Sequence, residues 1–280
     1  MATKISIVQY LNSVPLCWGI LEGPAKDAFD PVFSTPAECA DQLAAGTVDV
    51  GLIPSIEYQR IPGCRIIPGP VIASLNRVQS VILLSMVPLF RIRRIAFDRA
   101  SRASVALTQI ILQKSYGTRP EFHAADADPV RMLADHDAAL IIGDAALRYQ
   151  ASNMLPDAEK QTDLIRDGAE PVYVFDLMER WNNLTGLPFV FAFWAARKGF
   201  GDKAVVERLI ESRAFGLANL DAIADRYATE MELEKDFVLR YIERHVYYHM
   251  DSDCVEAIRL FHEFAREVGA IKSVRGIEFL

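Results

Sequence analysis

Short apolar runs alternate with stretches of helical periodicity along the first two thirds of this chain. "KISIVQY" (4–10) reads as a strand and "SVPLCWGILEG" (13–23) as a short helix stopped by Gly23. "DPVFS" (30–34) is a second strand. "TPAECADQLAAG" (35–46) is a helix with Thr35 as N-cap, Pro36 in the first turn and Gly46 at its end. "VDVGLI" (48–53) is a strand and "PSIEYQR" (54–60) a helical turn. The style continues with a strand at 93–98, an amphipathic helix at 101–117 and a buried strand at 137–143. A helix starts at Asp144, and strands follow at 171–176 and 187–197. Such alternation predicts a parallel or mixed sheet covered by helices.

Beyond Arg197 the pattern changes to roughly three amphipathic helices over 202–270, which read as a helical wall packed on the body. Two long apolar strands, near 77–86 and 187–196, bracket a compact α/β block. Side by side, they would carry the chain out of one lobe and back into it. The expected organisation is an α/β chain in two lobes, 1–88 with 191–280 and 89–190, with a double crossover and a cleft between. Interdomain clefts and the carboxyl ends of strands are favoured ligand sites.

A net charge of −7 in 280 residues argues against a nucleic-acid binder but leaves room for a small anionic substrate. Neutral donors at helix starts hold a carboxylate without excess positive charge. The scattered cysteines Cys17, Cys39, Cys64 and Cys254 form no CxxC pair and read as reduced, buried thiols. The N-terminus has no secretory core, and the most apolar stretch, 78–90, is too short to span a bilayer. A cytoplasmic protein without a membrane partner is expected, with a homodimer as an open possibility.

Six strand-to-helix turns or strand tips carry polar residues toward the expected cleft. They are Asn12-Ser13; Ser55 with Glu57; Ser74, Asn76, Arg77 and Ser80; Ser101-Arg102 with Ser104; Gly143-Asp144; and Thr185-Gly186. Taken singly, each Ser or Asp is most simply a helix cap, and Arg102 a partner for Asp98. Their convergence on one cleft is what suggests a site. Other chemistries lack their signatures. His245 and His249 lie four apart in the helix read over 234–250 and so share a helical face, but Val246 stands where a zincin needs Glu. There is no P-loop, GxGxxG or GxSxG, and no cofactor or metal is indicated.

Together, "YLNSVPL", "VDVGLIPSIEY", "SVILLS", "SRASVALTQIILQ" and "LTGLPFVFAFWAAR" resemble the chorismate dehydratases of the futalosine route to menaquinone, in order from about residue 4 to 197. The resemblance implies a type II periplasmic-binding-protein-like fold and loss of water from chorismate to give 3-[(1-carboxyvinyl)oxy]benzoate. Ala103 departs from the threonine expected between Arg102 and Ser104. Under this resemblance Asn12 and Ser80 are the catalytic candidates, and the enolpyruvyl carboxylate of the substrate takes the proton. Ser13, Ser55, Asn76, Ser101, Arg102, Ser104, Gly143 and Asp144 are candidate substrate contacts, while Glu57 and Asp144 are the carboxylates near the motifs. A solute-binding module of the same fold and the related naphthoate synthase of the same pathway stay open as alternatives.

Overall fold

The computed structural model describes residues 2–152 and 173–280, and the strands within them form two mixed sheets. The chain opens with β1 (Thr3–Val8), α1 (Val14–Leu21), β2 (Phe29–Ser34), α2 (Pro36–Ala45), β3 (Val50–Pro54) and β4 (Arg65–Ser74). It continues through β5 (Val81–Ser85), β6 (Arg94–Asp98), α3 (Arg102–Tyr116), β7 (Glu121–Ala125), α4 (Pro129–Asp135), β8 (Ala138–Ile142), α5 (Gly143–Ser152), β9 (Tyr173–Asp176) and α6 (Leu177–Thr185). It ends with β10 (Phe189–Ala196), α7 (Ala204–Leu217), α8 (Leu220–Met231), α9 (Lys235–Arg240), β11 (Tyr247–His249) and α10 (Ser252–Glu267).

The first sheet has the order β11-β4-β10-β3-β1-β2 and the second β7-β6-β8-β5-β9. β1 runs parallel to β2 and β3, whereas β10 is antiparallel to β3 and β4. In the second sheet β6 is parallel to β7 and β8, and β5 is antiparallel to β8 and β9. The chain crosses between sheets twice, after β4 and before β10. The two apolar strands expected side by side are therefore separated: β5 lies in the second sheet and β10 in the first. An expected boundary at 88 groups β5 with the first lobe, but its strand partners, β8 and β9, are all in the second sheet.

The first crossing is held by a buried carboxylate. Asp176 accepts the N–H groups of Val78 and Gln79 at 3.0 and 2.8 Å, and also caps α6 through Met178 and Glu179. Burial pushes its carboxyl above the usual range, and the N–H donors and Arg77 oppose that shift. Gln79 takes a left-handed backbone (φ 61). Asp176 thus fixes a strained turn that carries Ser80.

α2 forms as its sequence predicts. Thr35 and Glu38 make a reciprocal capping box, and Gly46 ends the helix in the left-handed region. The C-terminal region differs from expectation. The first long helix breaks into α7 and α8. The segment read as one helix over 234–250 becomes α9, a π-helical turn (Tyr241–His245) and β11, so His245 and His249 share no helical face. α7 crosses α1 closely enough that a Cβ on Gly216 would lie 1.9 Å from the Pro15 carbonyl oxygen. Pro171 and Val172 of the predicted strand lie outside the described residues. No helix among the described residues is long and apolar enough to cross a membrane.

Candidate active site

Residues from both sheets and the turns that follow their strands line one cleft. Its walls are mostly apolar and include Val8, Ile72, Val81, Ile142 and Phe191. Its polar members are Tyr10, Asn12, Ser101, Arg102 and Ser104. The walls come from strand ends because inward positions of buried strands are apolar, whereas the polar groups come from the turns that follow.

Asn12 lies in the 3-10 turn Leu11–Ser13 after β1. Two predicted site residues build this turn without entering the cleft. Ser13 donates its hydroxyl to the carbonyls of Val8 and Tyr10. Asp144, at the start of α5, accepts the Leu11 N–H at 3.0 Å. Backbone groups in a buried turn need such partners. Burial raises the Asp144 carboxyl, with Leu11 and Arg148 opposing. Ser13 and Asp144 line a neighbouring pocket instead. Gly143 lines the cleft, gives its N–H to the Ser80 carbonyl and holds φ +61; a Cβ there would lie 3.0 Å from the Tyr10 ring.

The start of α3 also lines the cleft. Ser101 occupies the N-cap without making a capping bond, and its Oγ is buried with no partner. The N–H groups of Ala103 and Ser104 have no acceptor among the described residues, and the Ser104 hydroxyl has none either. These orphan donors at the positive end of a 15-residue helix suit a carboxylate. Arg102 is less available than its position suggests. It meets Asp41 through two 2.8 Å bonds and Glu57 at 3.3 Å, rather than pairing with Asp98. Glu57 is buried and also binds Arg60 at 2.6 Å, so its carboxylate is engaged on both oxygens. Anion binding at this end therefore falls mainly on uncharged donors.

The remaining candidates lie elsewhere. Asn76 is exposed and outside the cleft, because the 75–77 loop turns outward ahead of the Asp176-bound turn. Ser55 is fully buried beside the cleft residue Pro54, with an unpartnered Oγ; its carbonyl accepts from His262 at 2.9 Å. Ser80 stands one layer behind the lining, where its Oγ accepts a 2.8 Å bond from the Tyr241 hydroxyl. Asn12 Oδ1 is buried in the cleft wall with no hydrogen-bond partner. Sequence reasoning missed Tyr10, Phe191 and Tyr241. Phe191 had a signal, since it sits in the return strand, but Tyr241 was hidden by helical periodicity.

Among the described residues lining the cleft there is no His, Lys, Asp or Glu. Nor does any group of three or more His, Cys, Asp or Glu among the described residues form a metal-binding cluster.

Comparison with known proteins agrees with this architecture. Residues 3–267 match a protein family described as menaquinone biosynthesis. The chain is 30% identical over 252 residues to the chorismate dehydratase of Thermus thermophilus, covering 89% of this chain and 90% of that one. A crystal structure of an Archaeoglobus fulgidus protein superposes with a TM-score of 0.71 at 16% identity, covering 96% of this chain and 98% of that one. The periplasmic aliphatic sulphonate binding protein SsuA of Escherichia coli gives 0.65 at 14% identity, covering 97% and 89%. The structural likenesses speak to the fold, which is the periplasmic-binding-protein-like architecture expected from the sequence.

Proposed function

The chain belongs to the menaquinone-biosynthesis family, and from that premise we propose that it is a chorismate dehydratase, a hydro-lyase that converts chorismate to 3-[(1-carboxyvinyl)oxy]benzoate and water. One observation supports the reading most directly: a mostly apolar cleft is lined by the orphan neutral donors at the start of α3 and by Asn12, whose Oδ1 has no hydrogen-bond partner. The α3 end suits a carboxylate, the apolar walls suit the ring, and Asn12 suits a hydrogen-bond donor such as the ring hydroxyl.

A proton leaves the ring carbon that bears the enolpyruvyl ether, and the neighbouring hydroxyl departs. The lining residues supply no carboxylate or imidazole, so the substrate's enolpyruvyl carboxylate acts as the base. It then returns the proton to the departing hydroxyl, so water leaves and the ring becomes aromatic. The protein contributes alignment, which is worth on the order of 7–11 kcal/mol when the reacting groups are held in line. Ser101 and Ser104, with the adjacent backbone, anchor a carboxylate, and Ser80 acts from behind Asn12. The buried, reduced cysteines are consistent with work in the cytoplasm.

Purified protein incubated with chorismate should yield an aromatic product one water lighter, followed by ultraviolet absorbance and mass spectrometry. Asn12→Asp should abolish turnover while circular dichroism stays native. Binding of chorismate with release of the unchanged compound would instead favour a solute-binding module, a reading that the likeness to SsuA keeps in view.

A further inference from the structure

The turn that follows β3 ties the cleft to a segment that no motif in the sequence marks. β3 ends on Pro54 in the cleft wall, and a 3-10 turn (Ser55–Gln59) comes next. Glu57 of that turn meets Arg102, the first residue of α3, at 3.3 Å. The chain beyond α10 grips the same turn. There the half-buried Arg275 spends its guanidinium on backbone carbonyls. It reaches the Tyr58 carbonyl twice, at 3.1 and 2.7 Å, and those of Ile61 and Cys64 at 3.3 and 3.1 Å. The guanidinium carbon also lies 3.5 Å from the centre of the Tyr58 ring. The Tyr58 hydroxyl donates to the Gly276 carbonyl and accepts the Glu278 N–H, both at 2.8 Å. The Gln59 side chain bonds the backbone of Arg275 in both directions.

We propose that Arg275 is a positioning residue: it fixes the 55–59 turn so that Glu57 holds Arg102, and with it the donor-bearing start of α3, in place against the rest of the cleft. A short 3-10 turn has poor hydrogen-bond geometry of its own, so its shape follows the groups that satisfy its carbonyls. One planar fork shared by Tyr58, Ile61 and Cys64 gives this loop a single shape, which a flexible point charge would not impose. Ser101, Ala103 and Ser104 flank Arg102 in the first turn of α3 and move with it. A carboxylate anchored there is held in the ground state and the transition state alike. Loss of alignment therefore weakens binding more than it slows the chemistry. This role rests on the dehydratase reading.

The test uses the whole chain with Arg275→Met, which keeps an apolar stem on the Tyr58 ring and removes the fork, assayed well below its Tm. KM for chorismate should rise about tenfold, the scale of one hydrogen bond to a charged group. The value of kcat should stay within about threefold. Combined with Glu57→Gln, the variant should be no worse than the worse of the two single ones, because both act through one contact. Where Arg275→Met fails to fold, Tyr58→Phe, which releases Gly276 and Glu278 from the same turn, carries the test and should raise KM in the same way. A lowered Tm with unchanged KM marks a structural anchor alone and overturns the proposal, as do KM factors that multiply in the double variant. A second measurement is independent of turnover. In Arg275→Met, hydrogen exchange followed by mass spectrometry should quicken over 102–108 as well as over 55–64. Quickening confined to 55–64 and 270–280 would also sink the idea. If the wild-type protein leaves chorismate unchanged, the dehydratase reading fails, and exchange over 102–108 still decides whether Arg275 acts on α3.

Discussion

Arg102, at the start of α3, grips Asp41 of α2 fork to fork, through two bonds of 2.8 Å. The pair joins elements packed on different sheets across the mouth of the cleft. Asp41 is 63% exposed, so the bond adds little to stability. Asp41→Asn should lower the unfolding free energy by less than about 1 kcal/mol. Its larger effect should be on closure of the cleft, with KM for chorismate raised severalfold and kcat nearly constant. Thermal unfolding and steady-state kinetics check both parts.

Glu57 pairs with the cleft residue Arg102, and both its oxygens are bound to arginines. A base must have a free lone pair directed at the proton it removes. Glu57→Gln should therefore retain activity within about tenfold. It should cost roughly 1–2 kcal/mol of stability, because a buried charge is lost from partners that are themselves partly solvated. A drop of several orders of magnitude in kcat, with the fold intact, would identify Glu57 as the base and refute the substrate-assisted scheme.

Gly143 combines a left-handed backbone with close contact to the Tyr10 ring. Gly143→Ala should destabilise the protein by about 1–2 kcal/mol through backbone strain. It should also move Tyr10 and so lower kcat/KM. Denaturant titration alongside kinetics separates the two effects, and a fully active, equally stable variant would show that Tyr10 can shift freely.

His262 is buried under the 55–59 turn. It donates Nε2–H to the Ser55 carbonyl and accepts from Gln59 at Nδ1. Burial lowers its pKa from 6.5 to about 4, so it is neutral in the folded protein near pH 6, where the unfolded chain begins to bind a proton. Stability should therefore fall as pH drops from about 6.5 toward 4, by roughly 3 kcal/mol over that window. Urea unfolding at a series of pH values should show this slope, and His262→Gln should flatten it.

Much of the fold was legible because local signals agreed with the tertiary result. Thr35, Pro36 and Gly46 mark both ends of α2, and the periodicity of 101–117 gives α3 with Gly117 as its stop. β4 was not legible. Its sequence "RIIPGPVIAS" has two prolines and a glycine, which break strand alternation, and its pairing with β10 is correspondingly irregular. In the site, Asn12, Ser101, Ser104 and Gly143 were legible because strand ends followed by helix starts gather at one cleft. Ser13 and Asp144 could not be told from such groups, since a residue that supports a turn and one that faces a ligand share the same chemistry. Asn76 failed because polarity marks exposed loops as readily as sites. Tyr241 depends on a π turn, which helical periodicity does not reveal.

The strand order of the first sheet has a consequence for synthesis. β10 sits between β3 and β4, pairing with both, yet it follows the whole second sheet in the chain. On a ribosome, β3 and β4 emerge first and wait roughly ten seconds for the strand that joins them. Throughout that interval each offers an open backbone edge to neighbouring nascent chains. Slower translation of 75–188 should therefore increase aggregation of the newborn protein, and chaperones that shield strand edges should be needed most before Phe189 appears.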